Sequence, residues 1–189
     1  MHPILKRLAG GDRRSIGRSD DVARDISRAP DLFAVVVDGM AVGDPVVRMR
    51  AADAVEKASR TRPQLLQPHK RRFLKDIALV GQQEVRWHLA QVVPRLRLAS
   101  NERRQAVALL LSFLDDRSKI VQVNAMQALA DLALQDDRLR KSVIGRVESL
   151  VAEGSPAVRA RGRKLLRVLR SGHLTSRCSG RWPRSGQRR

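Results

Sequence analysis

Apolar residues recur along the chain with the 3.6-residue period of an amphipathic helix. In DPVVRMRAADAVEKAS, residues 44–59, apolar side chains fall at offsets 0, 4, 7, 8 and 11 from Val47. Asp44 followed by Pro45 predicts an N-cap and a proline in the first helical turn. A helix with a single apolar stripe is not stable alone, so another element must cover that stripe.

This pattern occurs four times, which predicts a repeat protein. The anchoring dipeptides are Val47-Arg48, Val85-Arg86, Val121-Gln122 and Val158-Arg159, spaced 38, 36 and 37 residues apart. A second amphipathic segment precedes each anchor helix, at about 31–41, 69–80, 102–114 and 139–152. No segment reads as a strand. The unit is therefore a helix A, a tight turn and a helix B, and the predicted fold class is all-α.

The ends of the chain depart from this unit. Residues 12–28 predict a short helix with Ser19 as N-cap and Val22 and Ile26 as its apolar stripe. Terminal repeats are usually atypical, so we interpret this helix as a cap on the first repeat. The predicted organisation is a flexible N-terminus at 1–18, a helical array at 19–170 (repeats about 30–60, 68–98, 101–135 and 138–170) and a disordered basic tail at 171–189.

The motif Asp-Pro-x-Val-Arg-x-x-Ala-x-x-Ala-Val in residues 44–55 resembles the HEAT repeat, as found in bacterial HEAT-repeat domains. Val-Arg at 85–86 and Pro-x-Val-Arg at 156–159 repeat parts of it. Tetratricopeptide and ankyrin repeats fit less well, because the chain has no Tyr and no Thr-Pro-Leu-His. The resemblance covers about residues 30–170 and implies an armadillo-type α-α superhelix, a solenoid of about four helix pairs. It implies no activity, since the motif encodes packing.

The resemblance also implies a role for the arginine after each anchor valine. In HEAT proteins this arginine hydrogen-bonds toward acidic turn residues of neighbouring repeats. The matching arginines and the candidate acids are Arg48, Arg86 and Arg159 with Asp44, Glu84 and Asp116. Gln122 departs from the pattern, so we expect this structural ladder to be weakest at the third repeat.

Two further expectations test the helix register. Leu89 and Leu129 should lie in the core, and Pro94 should kink the second B helix or end it early.

The net charge of +19 is concentrated at the C-terminal end. Residues 1–30 hold seven Lys or Arg against four acids (+3), residues 31–153 twenty against fifteen (+5), and residues 154–189 eleven against none (+11). This end predicts sequence-independent binding of nucleic acid or another polyanion. The basic residues concerned, besides those of the tail, are Arg161, Arg163, Lys164, Arg167 and Arg170. A single cysteine suits a reducing cytoplasm, and no apolar run approaches the length of a membrane span.

Little in the sequence points to catalysis. GGDRRSIGRS, residues 10–19, departs from the spacing of a phosphate-binding loop and has Arg where Lys is required. The four histidines are far apart, and Cys178 lies in the predicted tail, so we expect no metal, no cofactor and no nucleophile pair. Alkylpurine DNA glycosylases, which are HEAT-like, use a Trp, Asp and Arg cluster. Trp87 lies on a B helix here, but no acidic residue and no further aromatic residue matches that cluster. We therefore predict a protein that is not an enzyme.

The most favoured function is a protein-interaction scaffold that binds a partner along the concave face of the B helices. Offsets 2 and 3 from each anchor point away from the predicted core. The candidate partner-binding residues there are Met49, Arg50, Trp87, His88, Asn124 and Arg161. The alternative is that offset-2 residues pack between successive B helices. We favour packing for Val123 and Ala160, and both interpretations remain open for Trp87 and Met49.

Overall fold

The computed structural model describes residues 1–171, and the regular secondary structure of this part of the chain is helical, with no strand. Its α-helices are α1 Pro3–Lys6, α2 Ser19–Arg28, α3 Leu32–Gly39, α4 Pro45–Thr61, α5 Gln83–Val92, α6 Ser100–Leu114, α7 Lys119–Gln135, α8 Asp137–Glu153 and α9 Pro156–Ser171. The all-α fold class is confirmed. The chain divides into two compact units, Met1–Asp131 and the residues from Leu132 onward, and the boundary lies within α7.

Helix α4 is the centre of the first unit, because α2, α3 and α5 all pack against it. It begins as predicted: Asp44 Oδ1 accepts hydrogen bonds from the backbone N–H groups of Val46 (2.8 Å) and Val47 (3.3 Å), with Pro45 in the first turn. The sequence predicts one buried stripe, whereas almost the whole middle of α4 is buried, including Arg50 and Asp53. Polar groups on this helix must therefore find partners inside the protein.

The predicted A helix at 69–80 is irregular in the structure. It consists of a 3₁₀ segment at Pro63–His69, a π-helical turn at Arg72–Asp76 and a second 3₁₀ turn at Ile77–Leu79. Pro63 and Pro68 lie in the first segment, where neither can donate a backbone hydrogen bond. The apolar face survives this irregularity, since Phe73 and Ile77 are fully buried.

The second B helix ends early, which confirms the prediction for proline. Helix α5 stops at Val92, and a 3₁₀ turn at Val93–Arg95 contains Pro94. Leu89 in α5 and Leu129 in α7 are buried as expected. The B-helix register deduced from the apolar period is therefore confirmed at both positions.

The N-terminal residues, for which we predicted flexibility, contain helix α1, and Ile4, Leu5 and Leu8 are buried. Helix α1 contacts α3, and α2 contacts α4. The predicted apolar stripe of α2 is confirmed, because Val22 and Ile26 are fully buried. The prediction of its N-cap is wrong.

Arg18 occupies the N-cap position of α2, and Ser19 is the first helical residue. The Ser19 hydroxyl is fully buried and donates a hydrogen bond to Asp53 on α4. A long-range acceptor has replaced the local one, since capping requires a side chain outside the helix that is free to fold back onto its first turn.

The second unit contains the helix pair α8 and α9, which pack closely against each other. Asp136 caps α8 by accepting a hydrogen bond from the backbone N–H of Arg138. Gly154 lies in the connecting turn, where a Cβ atom would come within 2.3 Å of the Leu150 carbonyl oxygen. The apolar face of α9 is buried, namely Val158, Gly162, Leu165, Leu166 and Leu169.

Candidate functional site

The residue after each anchor valine makes the same hydrogen bond in all three repeats of the first unit. Arg48, Arg86 and Gln122 each donate to the backbone carbonyl six residues earlier, those of Val42, Val80 and Asp116. Gln122 therefore keeps this contact despite its departure from the motif. The shared contact anchors each B helix to the turn that precedes it.

The arginines of the ladder also reach the next turn. Arg48 Nε donates to Gln82 Oε1 (2.8 Å), and Arg86 Nη1 donates to Asp116 Oδ2 (2.6 Å). Of the other acids that the sequence offers as partners, Asp44 caps α4, and Glu84 is buried with the Gln83 amide 3.5 Å from its carboxylate. The acceptor of Arg48 is thus an amide, because Gln82 lies where the next turn comes closest.

Arg50, which the sequence places in a partner-binding row, is enclosed by the N-terminal segment and is only 4% exposed. Its guanidinium donates to the backbone carbonyls of Leu8 (2.8 Å), Gly10 (2.7 Å), Asp12 (3.1 Å) and Ser15 (3.1 Å). We call these four carbonyls the Arg50 cage. The assignment of Arg50 to a partner needs correction, because its donors are used within the protein.

Two other offset-3 residues, His88 and Asn124, join Asp53 and Gln91 in a polar seam that crosses α4, α5 and α7. His88 Nε2 lies 3.8 Å from Asp53 Oδ1, and His88 Nδ1 lies 3.2 Å from Gln91 Oε1. Gln91 Nε2 donates to Asn124 Oδ1 (2.9 Å). Each offset-3 residue of this seam thus meets the offset-6 residue of the preceding B helix, so His88 and Asn124 are also committed to internal contacts.

Burial and charge set the ionisation of the groups around this seam. Burial lowers the pKa of His88, and the nearby Asp53 and Glu56 carboxylates oppose the shift. Burial also disfavours the charged form of Lys57, but hydrogen bonds to Asp20 and Asp53 outweigh it and raise the pKa of this lysine. Helix α2 therefore contacts the seam through the ion pair of Asp20 with Lys57 as well as through the Ser19 hydroxyl.

A second buried network fastens the end of α5 to α4. Arg95 donates to the Glu56 carboxylate (2.6 Å), to the Glu56 carbonyl (3.0 Å) and to the Ser59 hydroxyl (2.8 Å). Burial works against ionisation of Glu56, yet hydrogen bonds from Arg60 and Arg95 prevail and lower the pKa of the carboxyl. The carboxylate is thus held charged in the interior by two guanidinium groups.

The offset-2 residues differ in burial. Met49 is buried, Val123 is half-buried, and Ala160 on α9 is exposed. Trp87 is half-buried, and its ring centroid lies 5.5 Å from that of His88. Trp87 is therefore a candidate groove residue with a large side chain that is only partly buried.

Helix α9 presents basic side chains on a side that flanks its buried face. Arg159, Arg163, Arg167 and Arg170 are exposed and follow each other at four- and three-residue intervals, which places them along one side of the helix. We call these four residues the basic stripe. Lys164 is exposed beside it, whereas Arg161 is half-buried. No carboxylate occurs in α9, and Glu148 of α8 accepts a hydrogen bond from Arg170 at 2.6 Å.

Within residues 1–171, no group of three His, Cys, Asp or Glu side chains could hold a metal ion. None of the helices described is both long and apolar enough to cross a membrane. Cys178, His173 and the basic residues of the predicted tail beyond Ser171 lie outside the described residues.

The sequence was compared with known proteins, and it matches no family model and no curated protein. The HEAT resemblance therefore remains a prediction from the repeated motif.

Proposed function

We propose that the protein is a non-enzymatic, cytoplasmic HEAT-like solenoid that binds a polyanion through the basic stripe of α9. The observation that carries this proposal is the row of four exposed arginines on a helix without a single carboxylate. Like-charged side chains three and four residues apart destabilise a helix slightly, so such a row is favourable only when a ligand neutralises it. Phosphate groups are the natural complement of guanidinium forks.

The solenoid itself is proposed from the repeated motif and from the way the N-terminal helices pack. Helix α1 lies against the first A helix, α3, while α2 lies against the first B helix, α4. The N-terminal segment thus takes the place that a preceding helix pair would occupy. We propose that α1 and α2 together form the cap, which extends the single cap helix expected from the sequence.

The test of polyanion binding compares two variants of the full chain that lose the same charge. In the stripe variant Arg163 and Arg167 become Gln, and in the control variant Arg71 and Lys75, both exposed in the first unit, become Gln. Binding to a fluorescein-labelled nucleic acid is followed by anisotropy. We expect the stripe variant to bind at least tenfold more weakly and the control like the wild type. Equal binding by all three proteins would contradict the proposal.

A second function, binding of a protein partner on the B-helix face, is favoured by the partly exposed Trp87. A half-buried indole beside a satisfied polar network is typical of an interface anchor. Replacing Trp87 by Ala should remove a partner recovered from nuclease-treated lysate and leave the thermal unfolding midpoint nearly unchanged. If the variant unfolds instead, the indole is part of the core and this second function is wrong.

A further inference from the structure

We infer that the ligand of the basic stripe is double-stranded nucleic acid, held by its phosphates and not by its bases, an inference that rests on the proposed function. The stripe is a straight row fixed by helix geometry, and the duplex is a rigid polyanion with regularly spaced charges. Three features of the second unit favour a duplex over a single strand or a lipid surface.

The first feature is the match in length and charge density. From Arg159 to Arg170 the stripe extends about 16 Å along the helix axis. A duplex carries one phosphate per about 1.7 Å of its axis, so the same length presents about ten phosphates. Phosphates therefore outnumber the guanidinium groups of Arg159, Arg163 and Arg167, while Arg170 is already paired with Glu148. A flexible single strand would have to lose conformational entropy to follow the same straight row.

The second feature is the absence of aromatic and amide side chains from residues 137–171. Residues 137–171 contain no Phe, Trp, Tyr or His on which a base could stack, and no Asn or Gln to read the edge of an adenine. Proteins that bind single strands obtain about 1–3 kcal/mol per base from stacking. Without such platforms residues 137–171 contact a nucleic acid through arginine and lysine, whose phosphate contacts depend on charge density, which is higher in a duplex.

The third feature excludes an anionic lipid surface as the ligand. Amphipathic helices bind membranes by inserting an apolar face below the headgroups. In α9 that face, which includes Leu165, Leu166 and Leu169, is buried within the unit against α8. The helix has charge to offer a membrane and no apolar surface to insert.

The experiment measures the affinity of the full chain for three 24-nucleotide probes at 50–200 mM salt. The probes are two DNA duplexes of unrelated sequence and one strand of the first duplex. We expect both duplexes to bind alike, and more tightly than the single strand. For the variant with Arg163 and Arg167 changed to Gln, the slope of log K against log salt should be smaller by about 1.8, because each phosphate contact contributes about 0.9. Over this fourfold rise in salt, the variant should therefore lose about 12-fold less affinity than the wild type.

The other outcomes separate the inference from the function it rests on. A single strand bound as tightly as the duplex, with the same loss in the stripe variant, overturns the inference and leaves polyanion binding intact. A tenfold difference between the two duplexes overturns recognition by phosphates alone. If the stripe variant binds every probe with the slope of the wild type, both the inference and the proposed function fail. The variant with Arg71 and Lys75 changed to Gln controls for net charge, and circular dichroism verifies that each protein is folded.

Discussion

Replacing Arg50 by Met should detach the N-terminal segment from α4. The side chain of Met has a similar length and apolar character along its stem, so the change removes the guanidinium while most of the packing volume stays. The four carbonyls of the Arg50 cage lose their donor, as does the more distant Ala9 carbonyl (3.5 Å), and the hydrogen bond to Leu8 is buried. The perturbation therefore acts mainly through the Arg50 cage.

The expected loss follows from the environment of each bond. A hydrogen bond to a charged group contributes about 1.5–3 kcal/mol net, and a buried acceptor left without a donor costs about 1–3 kcal/mol. The carbonyls of Gly10, Asp12 and Ser15 belong to exposed residues and can turn to water once the arginine is gone. Only the Leu8 carbonyl bears the full penalty. We expect the free energy of unfolding to fall by about 3–4 kcal/mol, less than the sum of four separate bonds.

Urea unfolding followed by circular dichroism measures this loss, and hydrogen exchange at residues 9–18 shows where it acts. Arg24→Met removes an equally long arginine from an exposed ion pair on α2 and should leave stability unchanged. Gly17→Ala offers a second approach, since its backbone is left-handed and a Cβ would lie 2.7 Å from the Arg50 guanidinium carbon. Its destabilisation should shrink in the Arg50→Met background. A loss below 1 kcal/mol for Arg50→Met would refute the importance of the cage.

The remaining predictions concern the core and the second buried network. Leu89→Ala and Leu129→Ala should each lower the free energy of unfolding by about 2–5 kcal/mol, measured by urea titration, and wild-type stability in both would show that the helix register is wrong. The lowered pKa of Glu56 means that its contribution is present above pH 4.5, its ordinary value, and is lost as pH falls through the lower pKa of the folded state. Arg95→Met should cost about 2 kcal/mol, because Arg60 still pairs with the carboxylate. It should also make the acid loss of stability smaller and complete at a higher pH, because the folded-state pKa of Glu56 moves back toward its ordinary value. Glu56→Gln, which has no carboxylate to titrate at this position, is the reference. If Arg95→Met leaves the pH dependence of stability in acid the same as in the wild type, the pairing of Arg95 with Glu56 is contradicted.

The helices and their buried faces could be predicted because both depend on local sequence. The period of apolar residues places Val47, Leu89 and Leu129 inside without any knowledge of the neighbouring helices. Asp44 with Pro45 marks the start of α4, and Pro94 marks the end of α5, since each acts through backbone chemistry within one turn. These features were confirmed in the structure.

The polar contacts between helices could not be predicted from one helix at a time. A helical wheel assigns Arg50 and Asn124 to solvent, whereas a neighbouring element covers each of them. A signal was present in the repeats, because the offset-6 residues Asp53, Gln91 and Gln127 are all polar and lie one turn from the polar offset-3 row. Comparing the two rows between successive repeats would have indicated that they pair with each other.

The distribution of arginine contacts explains why net charge alone is a poor guide to what this chain binds. In the first unit Arg50, Arg86 and Arg95 direct their donors to carbonyls and carboxylates of their own unit, so these cations hold helices together. In α9 the helix supplies no acid, and the exposed arginines stand in a row. Only a guanidinium whose donors face solvent can exchange water and counterions for the phosphates of a ligand. Arg159, Arg163 and Arg167 are therefore exposed cations gathered on one helix that has no acid, and for that reason the proposed function depends on α9 and not on the total of +19.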